Sequence, residues 1–166
     1  VRLREMAESG EFGGLRATVG ELRLTPGLTN IVPHQAVFTV DLRNPDDDAM
    51  VLAEAALDAY LHELTERWPG LSFSVRRMAR TRHVPFDGEV QKAIASAAED
   101  LGYSHRSLLS GAGHDAQEIA AICPAAMVFI PGEYDGISHN PREYSTPQAC
   151  TQGVQVLASV VRRLAG

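Results

Sequence analysis

The segment from residue 131 to residue 146 concentrates side chains that could bind a metal ion. It follows an apolar run, residues 125–130, and contains Glu133, Asp135 and His139. Loops at the carboxyl ends of strands are where α/β proteins place their ligands, and a neutral imidazole suits zinc. Catalytic zinc usually takes three protein ligands, however, and one histidine supplies only one. His139 is therefore either one member of a metal site or an ordinary surface residue.

A glycine-rich turn around His114 could contact the reacting group of a substrate. It reads Gly111-Ala112-Gly113-His114-Asp115, between a strand predicted over 106–110 and a helix predicted over 114–122. Backbone N–H groups at the start of a helix attract anions or a polarised carbonyl oxygen, and glycine permits close approach. Gly113 and His114 are thus candidate substrate contacts. The alternative is an ordinary turn in which Asp115 complements the helix dipole.

A third candidate is Arg43, which is 13 residues after Asn30. Arg43 ends an alternating segment, residues 35–43, on the face opposite its apolar side chains. A guanidinium there could grip a carboxylate bidentately if that face borders a cleft. The alternative is that Arg43 pairs with Asp41 on a solvated face.

The first half of the chain must position Asn30 and Arg43. The apolar pattern predicts a helix over 1–9, strands over 16–24 and 35–43, a helix whose apolar stripe runs from Met50 to Trp68, and a third strand over 71–75. Gly20 interrupts the alternation of the first strand and predicts a bulge. The order helix, strand, strand, helix, strand lacks only a leading strand to complete a split βαβ sandwich.

The second half, which carries His114 and His139, alternates helices and strands. A change in composition places the boundary near His83. Asp87 is expected to cap a helix that Gly102 ends. The run over 125–130 is apolar on both parities, as in a strand covered on both faces. A last helix should begin at Pro147 and direct inward Val154, Leu157, Val160, Val161 and Leu164.

Composition narrows the class of protein. The 166 residues are 45% hydrophobic and 22% charged, with a net charge of -6, and no segment reaches the roughly 18 apolar residues of a membrane helix. The basic run from Arg76 to Arg82 lacks the interleaved aromatics of a nucleic-acid platform. Cys123 and Cys150 show no zinc spacing, which favours a reduced, cytoplasmic setting. No signal peptide is visible, and the chain begins in what reads as the middle of a helix.

Four ordered motifs resemble the hydantoinase/carbamoylase amidase family. The family includes N-carbamoyl-L-amino-acid hydrolases, allantoate amidohydrolases and β-ureidopropionases, and is related to zinc aminopeptidases and aminoacylases. The resemblance runs from Val1 to Gly166. The motifs are Asn30-Ile31-Val32-Pro33, Asp41-Leu42-Arg43, Gly111-Ala112-Gly113-His114-Asp115-Ala116, and Gly136-Ile137-Ser138-His139-Asn140-Pro141 with Glu143.

The resemblance implies an α/β fold with two parts. Residues 1–83 would form an incomplete split-βαβ (ferredoxin-like) lid that also dimerises and lacks its first strand. Residues 84–166 would be the carboxyl-terminal α/β portion of a zinc-peptidase-like catalytic domain that holds two metal ions.

The resemblance also assigns roles to single residues. His139 would be the last metal ligand, and His114, beside Gly113, would contact the substrate at its reacting group. Asn30 and Arg43 would hold the substrate carboxylate from the lid.

The family takes its other metal ligands and its glutamate general base from an amino-terminal half that these 166 residues do not include. We therefore expect part of a metal-dependent amidohydrolase that cleaves carbamoyl or ureido C–N bonds and, by itself, is inactive and binds little or no zinc or other divalent metal. A zinc aminoacylase or dipeptidase is the nearest alternative. A non-catalytic dimerisation or small-ligand-binding module is the alternative from another class.

Overall fold

The structure is a computed structural model that describes all 166 residues. The chain divides into two compact units, Val1–His83 and Val84–Gly166, and each is described by itself. Helices and one two-stranded sheet make this an α/β protein. Every helix is either too short or too polar to span a lipid bilayer.

The first unit contains α1 (Arg2–Glu8), β1 (Arg16–Thr25), β2 (Gln35–Arg43) and α2 (Asp47–Arg67). These four elements confirm the predicted order up to the second helix. The start of α2 is determined locally, because the Asp46 carboxylate accepts the backbone N–H groups of Asp48 and Ala49, each at 2.9 Å. This side-chain cap satisfies two donors that have no partner inside the helix.

The two strands form an antiparallel pair that runs from Thr25 opposite Gln35 to Arg16 opposite Arg43. The register shifts between Val19 and Leu22, which confirms the bulge predicted at Gly20. The Thr39 hydroxyl accepts the backbone N–H of Glu21 there at 3.0 Å and so gives the bulged backbone a partner.

The hydrophobic core of the first unit lies where α1, α2 and the hairpin meet. Its buried residues are Met6, Phe12, Leu15 and Ala53, and Leu42 of β2 packs against them. Asn44 fastens the end of β2 to this core, since its Nδ2 donates to the Phe12 carbonyl at 2.6 Å.

The third strand predicted over 71–75 is not formed, because the sheet contains only β1 and β2. Alternation of apolar residues cannot make a strand without a neighbour for its backbone groups. Val75 is 69% exposed. Trp68, which was predicted to lie on the apolar stripe of α2, is 57% exposed. The segment after Val75 contacts α2 through ion pairs, since Arg77 and Arg80 both contact the Glu54 carboxylate.

The second unit contains α3 (Gly88–Asp100), α4 (Ala116–Ala120), a 3-10 turn (Tyr134–Gly136) and α5 (Pro147–Leu164). The predicted ends are confirmed at α3, where Asp87 caps the amino terminus and Gly102 follows with a φ of 73°. The strands predicted over 106–110 and 125–130 are not formed. The second of these is also not covered on both faces, since Phe129 is 54% exposed.

The helices α3 and α5 pack through small residues. Ala97 and Ala98 of α3 are buried with Val156 and Val160 of α5. The prediction of which α5 residues point inward is wrong for four of the five, and only Val160 is buried. The other four are at least half exposed: Val154, Leu157, Val161 and Leu164. The buried face is instead the stripe Ala149, Gly153, Val156 and Val160.

Gly153 allows a close approach within this unit, and we expect Gly153→Ala to be destabilising. A Cβ added there would lie 2.5 Å from Ile130 Cγ2, whereas at Gly88, the first residue of α3, it would meet nothing within 4 Å. Overpacking costs about 1–3 kcal/mol, against a helix-propensity gain of about 1 kcal/mol. Urea unfolding should therefore give Gly153→Ala a free energy of unfolding about 1 kcal/mol or more below that of Gly88→Ala. Equal stabilities would contradict this packing.

Candidate substrate-binding and metal-ligand residues

The loop that carries His139 is closed on itself by local contacts. The Glu133 N–H donates to the Tyr144 carbonyl at 2.8 Å across the base of the loop. Within it, the Arg142 guanidinium lies over the Tyr134 ring at 4.4 Å from the centroid. Sequence reasoning missed this cation–π pair, because the two residues are eight positions apart with no periodic pattern between them.

His139 has a left-handed backbone, with a φ of 54°. Its N–H donates to Glu143 Oε2 at 3.0 Å, and the Glu143 N–H donates back to the Asn140 carbonyl at 2.9 Å. The Asn140 side-chain oxygen also accepts the Arg142 N–H at 3.0 Å. This closed turn fixes the backbone from which the His139 imidazole projects, and the residue is exposed to solvent.

The residues of this chain do not assemble a metal site by themselves. No group of three or more histidine, cysteine, aspartate or glutamate residues is placed to hold one ion. Glu133 and Asp135, which the sequence placed near His139, do not form such a group with it. His139 offers one imidazole, whereas catalytic zinc takes about three protein ligands.

The His114 turn presents an imidazole with a defined hydrogen-bonding state. Its Nδ1 accepts the Ala116 N–H at 3.0 Å, and its own backbone N–H donates to Gln117 Oε1 at 3.2 Å. When Nδ1 is an acceptor, the proton of the neutral ring is on Nε2. His114 Nε2–H is thus a donor that could reach a substrate oxygen.

The helix after His114 is shorter than predicted and does not offer a free amino terminus. α4 has five residues, and Asp115 at its N-cap makes no side-chain cap hydrogen bond. The N–H groups of His114 and Ala116 are engaged by side chains of the same turn. The anion-attracting role expected of those two groups is therefore not supported. Gln117 was missed, although a glutamine three residues after a turn residue is a known capping signal.

Gly113 is not required by the packing of this turn. A Cβ added there would lie 3.6 Å from Gln117 Oε1, which is an ordinary van der Waals contact. The proposed role of Gly113, which is to let the backbone approach a substrate closely, stays a prediction.

Arg43 and Asp41 form a bidentate ion pair at the end of β2. Arg43 Nε donates to Asp41 Oδ1 at 2.9 Å, and Arg43 Nη2 donates to Asp41 Oδ2 at 2.8 Å. About half of each side chain is exposed, 50% for Arg43 and 49% for Asp41. The hydrogen bond from Arg43 lowers the pKa of the Asp41 carboxyl, and the same bond raises the pKa of Arg43. The pairing weighed as the alternative from sequence is thus present.

Asn30 and Arg43 belong to opposite ends of the hairpin. Arg43 pairs with Arg16 at one end, and Asn30 lies in the connection between Thr25 and Gln35, which pair at the other. The eight residue steps of β2 span about 27 Å at about 3.4 Å per residue. One small carboxylate cannot touch both ends of this hairpin.

Comparison with known proteins gives consistent results along the chain. Residues 5–163 match peptidase family M20/M25/M40. An N-carbamoyl-L-amino-acid amidohydrolase of Rhizobium meliloti is 35% identical over 154 residues, which are 93% of this chain and 36% of that protein. The allantoate amidohydrolase of Bacillus subtilis is 30% identical over 151 residues, 91% of this chain and 36% of that protein.

A comparison with solved structures points to the same kind of enzyme as these sequence relatives. The crystal structure of an amidase of the hydantoinase/carbamoylase family from Burkholderia multivorans is similar with a TM-score of 0.80 and 38% identity, over 90% of this chain and 36% of that one. The chain therefore spans about 36% of the length of these relatives. It belongs to peptidase family M20/M25/M40 and, within it, is similar to the amidases of the hydantoinase/carbamoylase type.

Proposed function

We propose that this chain supplies the substrate-carboxylate grip and one metal ligand of an amidohydrolase that cleaves the carbamoyl or ureido C–N bond of N-carbamoyl amino acids or related linear amides. The observation that carries the proposal is the 35% identity with an N-carbamoyl-L-amino-acid amidohydrolase over 93% of the chain. The half-exposed guanidinium of Arg43, a group whose geometry matches a carboxylate, supports it from the structure.

The chemistry of the substrates named for the relatives suits this fork. N-Carbamoyl-L-amino acids and allantoate both carry a carboxylate on the carbon that bears the ureido nitrogen. A guanidinium that binds this carboxylate would fix the position of the neighbouring C–N bond. Positioning of this kind lowers the barrier because the reacting atoms are already in place.

The proposed roles are divided between the two units. Val1–His83 would be the split-βαβ (ferredoxin-like) lid without its first strand, and with residues 71–75 outside the sheet, with Arg43 on the carboxylate. Val84–Gly166 would be the carboxyl-terminal part of the catalytic domain, with His139 as a ligand of one of two zinc or other divalent ions. His114 Nε2–H would donate to the substrate oxygen at the bond that breaks. The metal, when bound, would activate a water molecule for attack.

We place the protein in the cytoplasm. Cys123 and Cys150 are both free and exposed, and thiols of this kind stay reduced in that compartment.

Zinc should bind this 166-residue chain weakly or not at all. His139 provides one imidazole, and the usual three protein ligands are not grouped anywhere in the chain. Metal analysis after dialysis against buffered zinc measures this directly, with His139→Ala as the matched control. Stoichiometric zinc that resists a chelator would contradict the prediction and would make Glu133, Asp135 and His114 the first ligands to test.

The first unit should associate into a symmetric dimer. Each of the two paired strands has one edge without a neighbouring strand, and Leu22 and Phe38 are 59% and 44% exposed. Unpaired edges and exposed apolar residues favour pairing, and twofold dimers are the commonest oligomers. Because Asn30 and Arg43 lie at opposite ends of one hairpin, a dimer is also the arrangement in which Asn30 of one copy could approach the carboxylate held by Arg43 of the other.

Sedimentation of the chain at increasing concentration tests this association. Leu22→Lys should shift the equilibrium toward monomer, whereas Arg23→Lys, which preserves a charge on the other face, should not. A wild-type profile that is strictly monomeric at high concentration would contradict the proposed dimer.

In the full-length hydrolase that carries this chain, Arg43→Lys should lower catalytic efficiency and Arg43→Ala should lower it further. Lysine keeps the charge but loses the planar fork that matches a carboxylate. Charged hydrogen bonds contribute about 1.5–3 kcal/mol, which is roughly ten- to hundredfold in kcat/KM. Replacing the substrate carboxylate by a carboxamide should cause most of the same loss in the unmutated enzyme.

The two losses should not add, because each removes the same interaction from one side. Measuring kcat/KM for both enzymes with both substrates decides this. If the losses add independently, Arg43 does not bind the carboxylate. If the unmutated enzyme hydrolyses no N-carbamoyl or ureido compound, the proposed reaction itself is wrong.

A further inference from the structure

The polar face at the end of the hairpin carries two arginines, Arg16 and Arg43, and one acidic residue, Asp41. Asp41 and Arg43 are two positions apart on β2 and so share a face. Arg16 is directly opposite Arg43 in the antiparallel pair, and Thr18 is opposite Asp41. Residues directly opposite each other have Cβ atoms about 4.5–5.5 Å apart, where like charges repel.

Asp41 engages the side edge of the Arg43 fork. Its two oxygens accept from Arg43 Nε at 2.9 Å and from Nη2 at 2.8 Å. A bidentate contact of this kind specifies the plane of the guanidinium as well as its position. The contact therefore limits rotation of the long Arg43 side chain, which Arg16 repels across the pair.

We propose that Asp41 is a positioning residue that holds the guanidinium of Arg43 in the orientation that receives the carboxylate of a ligand. This inference rests on the proposed role of Arg43 and assigns a further residue to the same site. An arginine that is already oriented loses less conformational entropy when it binds a carboxylate. Asp41 therefore strengthens carboxylate binding although its own charge is negative.

Two other roles for Asp41 predict different results. If Asp41 merely competes with the ligand for the fork, its removal strengthens carboxylate binding. If Asp41 only offsets the repulsion between Arg16 and Arg43, its removal changes the stability of the hairpin but not the preference for a carboxylate over a carboxamide.

The chain offers a matched control on the neighbouring strand. Arg23 and Glu21 form a similar ion pair two positions apart, with 2.6 Å between Arg23 Nη2 and Glu21 Oε1. It is more exposed and lies beside the bulge rather than at the end of the hairpin. Glu21→Gln removes a charge of the same sign from the same sheet without touching Arg43.

The test is an NMR titration of the isotopically labelled 166-residue chain, followed at the Arg43 Nε–H signal and at the backbone amide of residue 43, which Arg43→Ala retains. The ligands are N-carbamoyl-L-alanine and the corresponding carboxamide. Asp41→Ala should weaken binding of the carboxylate by about two- to fivefold, the range measured for exposed ion pairs. Asp41→Asn should recover part of the loss because one acceptor oxygen remains, and Glu21→Gln should have no effect. Binding of the carboxamide should not depend on residue 41.

Each result decides something different. If Asp41→Ala binds the carboxylate as tightly as the wild type or more tightly, the positioning role is wrong and that of Arg43 stands. If Arg43→Ala binds it as well as the wild type, or the wild type does not bind it, both roles are wrong. Unchanged amide signals outside the hairpin verify that the variants are folded. If Asp41→Ala does not fold, Asp41→Asn is the variant that tests the positioning role.

Discussion

The antiparallel register between β1 and β2 determines which side chains of the first unit face the core and which face solvent. Leu42 packs on the buried cluster of Met6, Phe12, Leu15 and Ala53, and the residues on either side of it, Asp41 and Arg43, face the other way. A slip of one residue would exchange these faces, because side chains alternate along a strand. The same pairing thus secures the core and presents the proposed carboxylate grip.

The bulge makes this arrangement compatible with the sequence. The apolar parity of β1 changes between Val19 and Leu22, so a regular strand would place one half of its apolar residues in solvent. An extra residue at this point restores the alternation relative to β2. The Thr39 hydroxyl, on the partner strand, accepts the N–H group of Glu21 at the irregularity.

The two histidines of the second unit are oriented by turns of the same design. In each, a nearby side chain accepts the backbone N–H of the histidine: Glu143 for His139 and Gln117 for His114. Both acceptors lie three or four residues after the histidine, which makes the turn self-contained. A hydrogen bond between residues this close in sequence needs no distant partner, so the backbone conformation of each turn is determined by its own residues.

Local chemistry in the sequence determined the helix ends and the hairpin. Asp46, Asp87 and Thr146 each accept backbone N–H groups at the start of a helix, and the bulge followed from the change of parity at Gly20. The pairing of Arg43 with Asp41 could also be read as one of two alternatives, because residues two apart on a strand share a face. These features depend on neighbours within a few residues, and sequence contains that information.

Only the tertiary structure decided which apolar segments have partners. The segments over 71–75, 106–110 and 125–130 have strand-like composition, but a strand needs another backbone beside it, and the chain forms only the β1–β2 pair. The helix α5 has two apolar stripes, and the one that contains Ala149 and Gly153 is buried because small residues permit close packing. Periodicity shows that a face is apolar, whereas the choice between two such faces depends on the shape of the surface that each would meet.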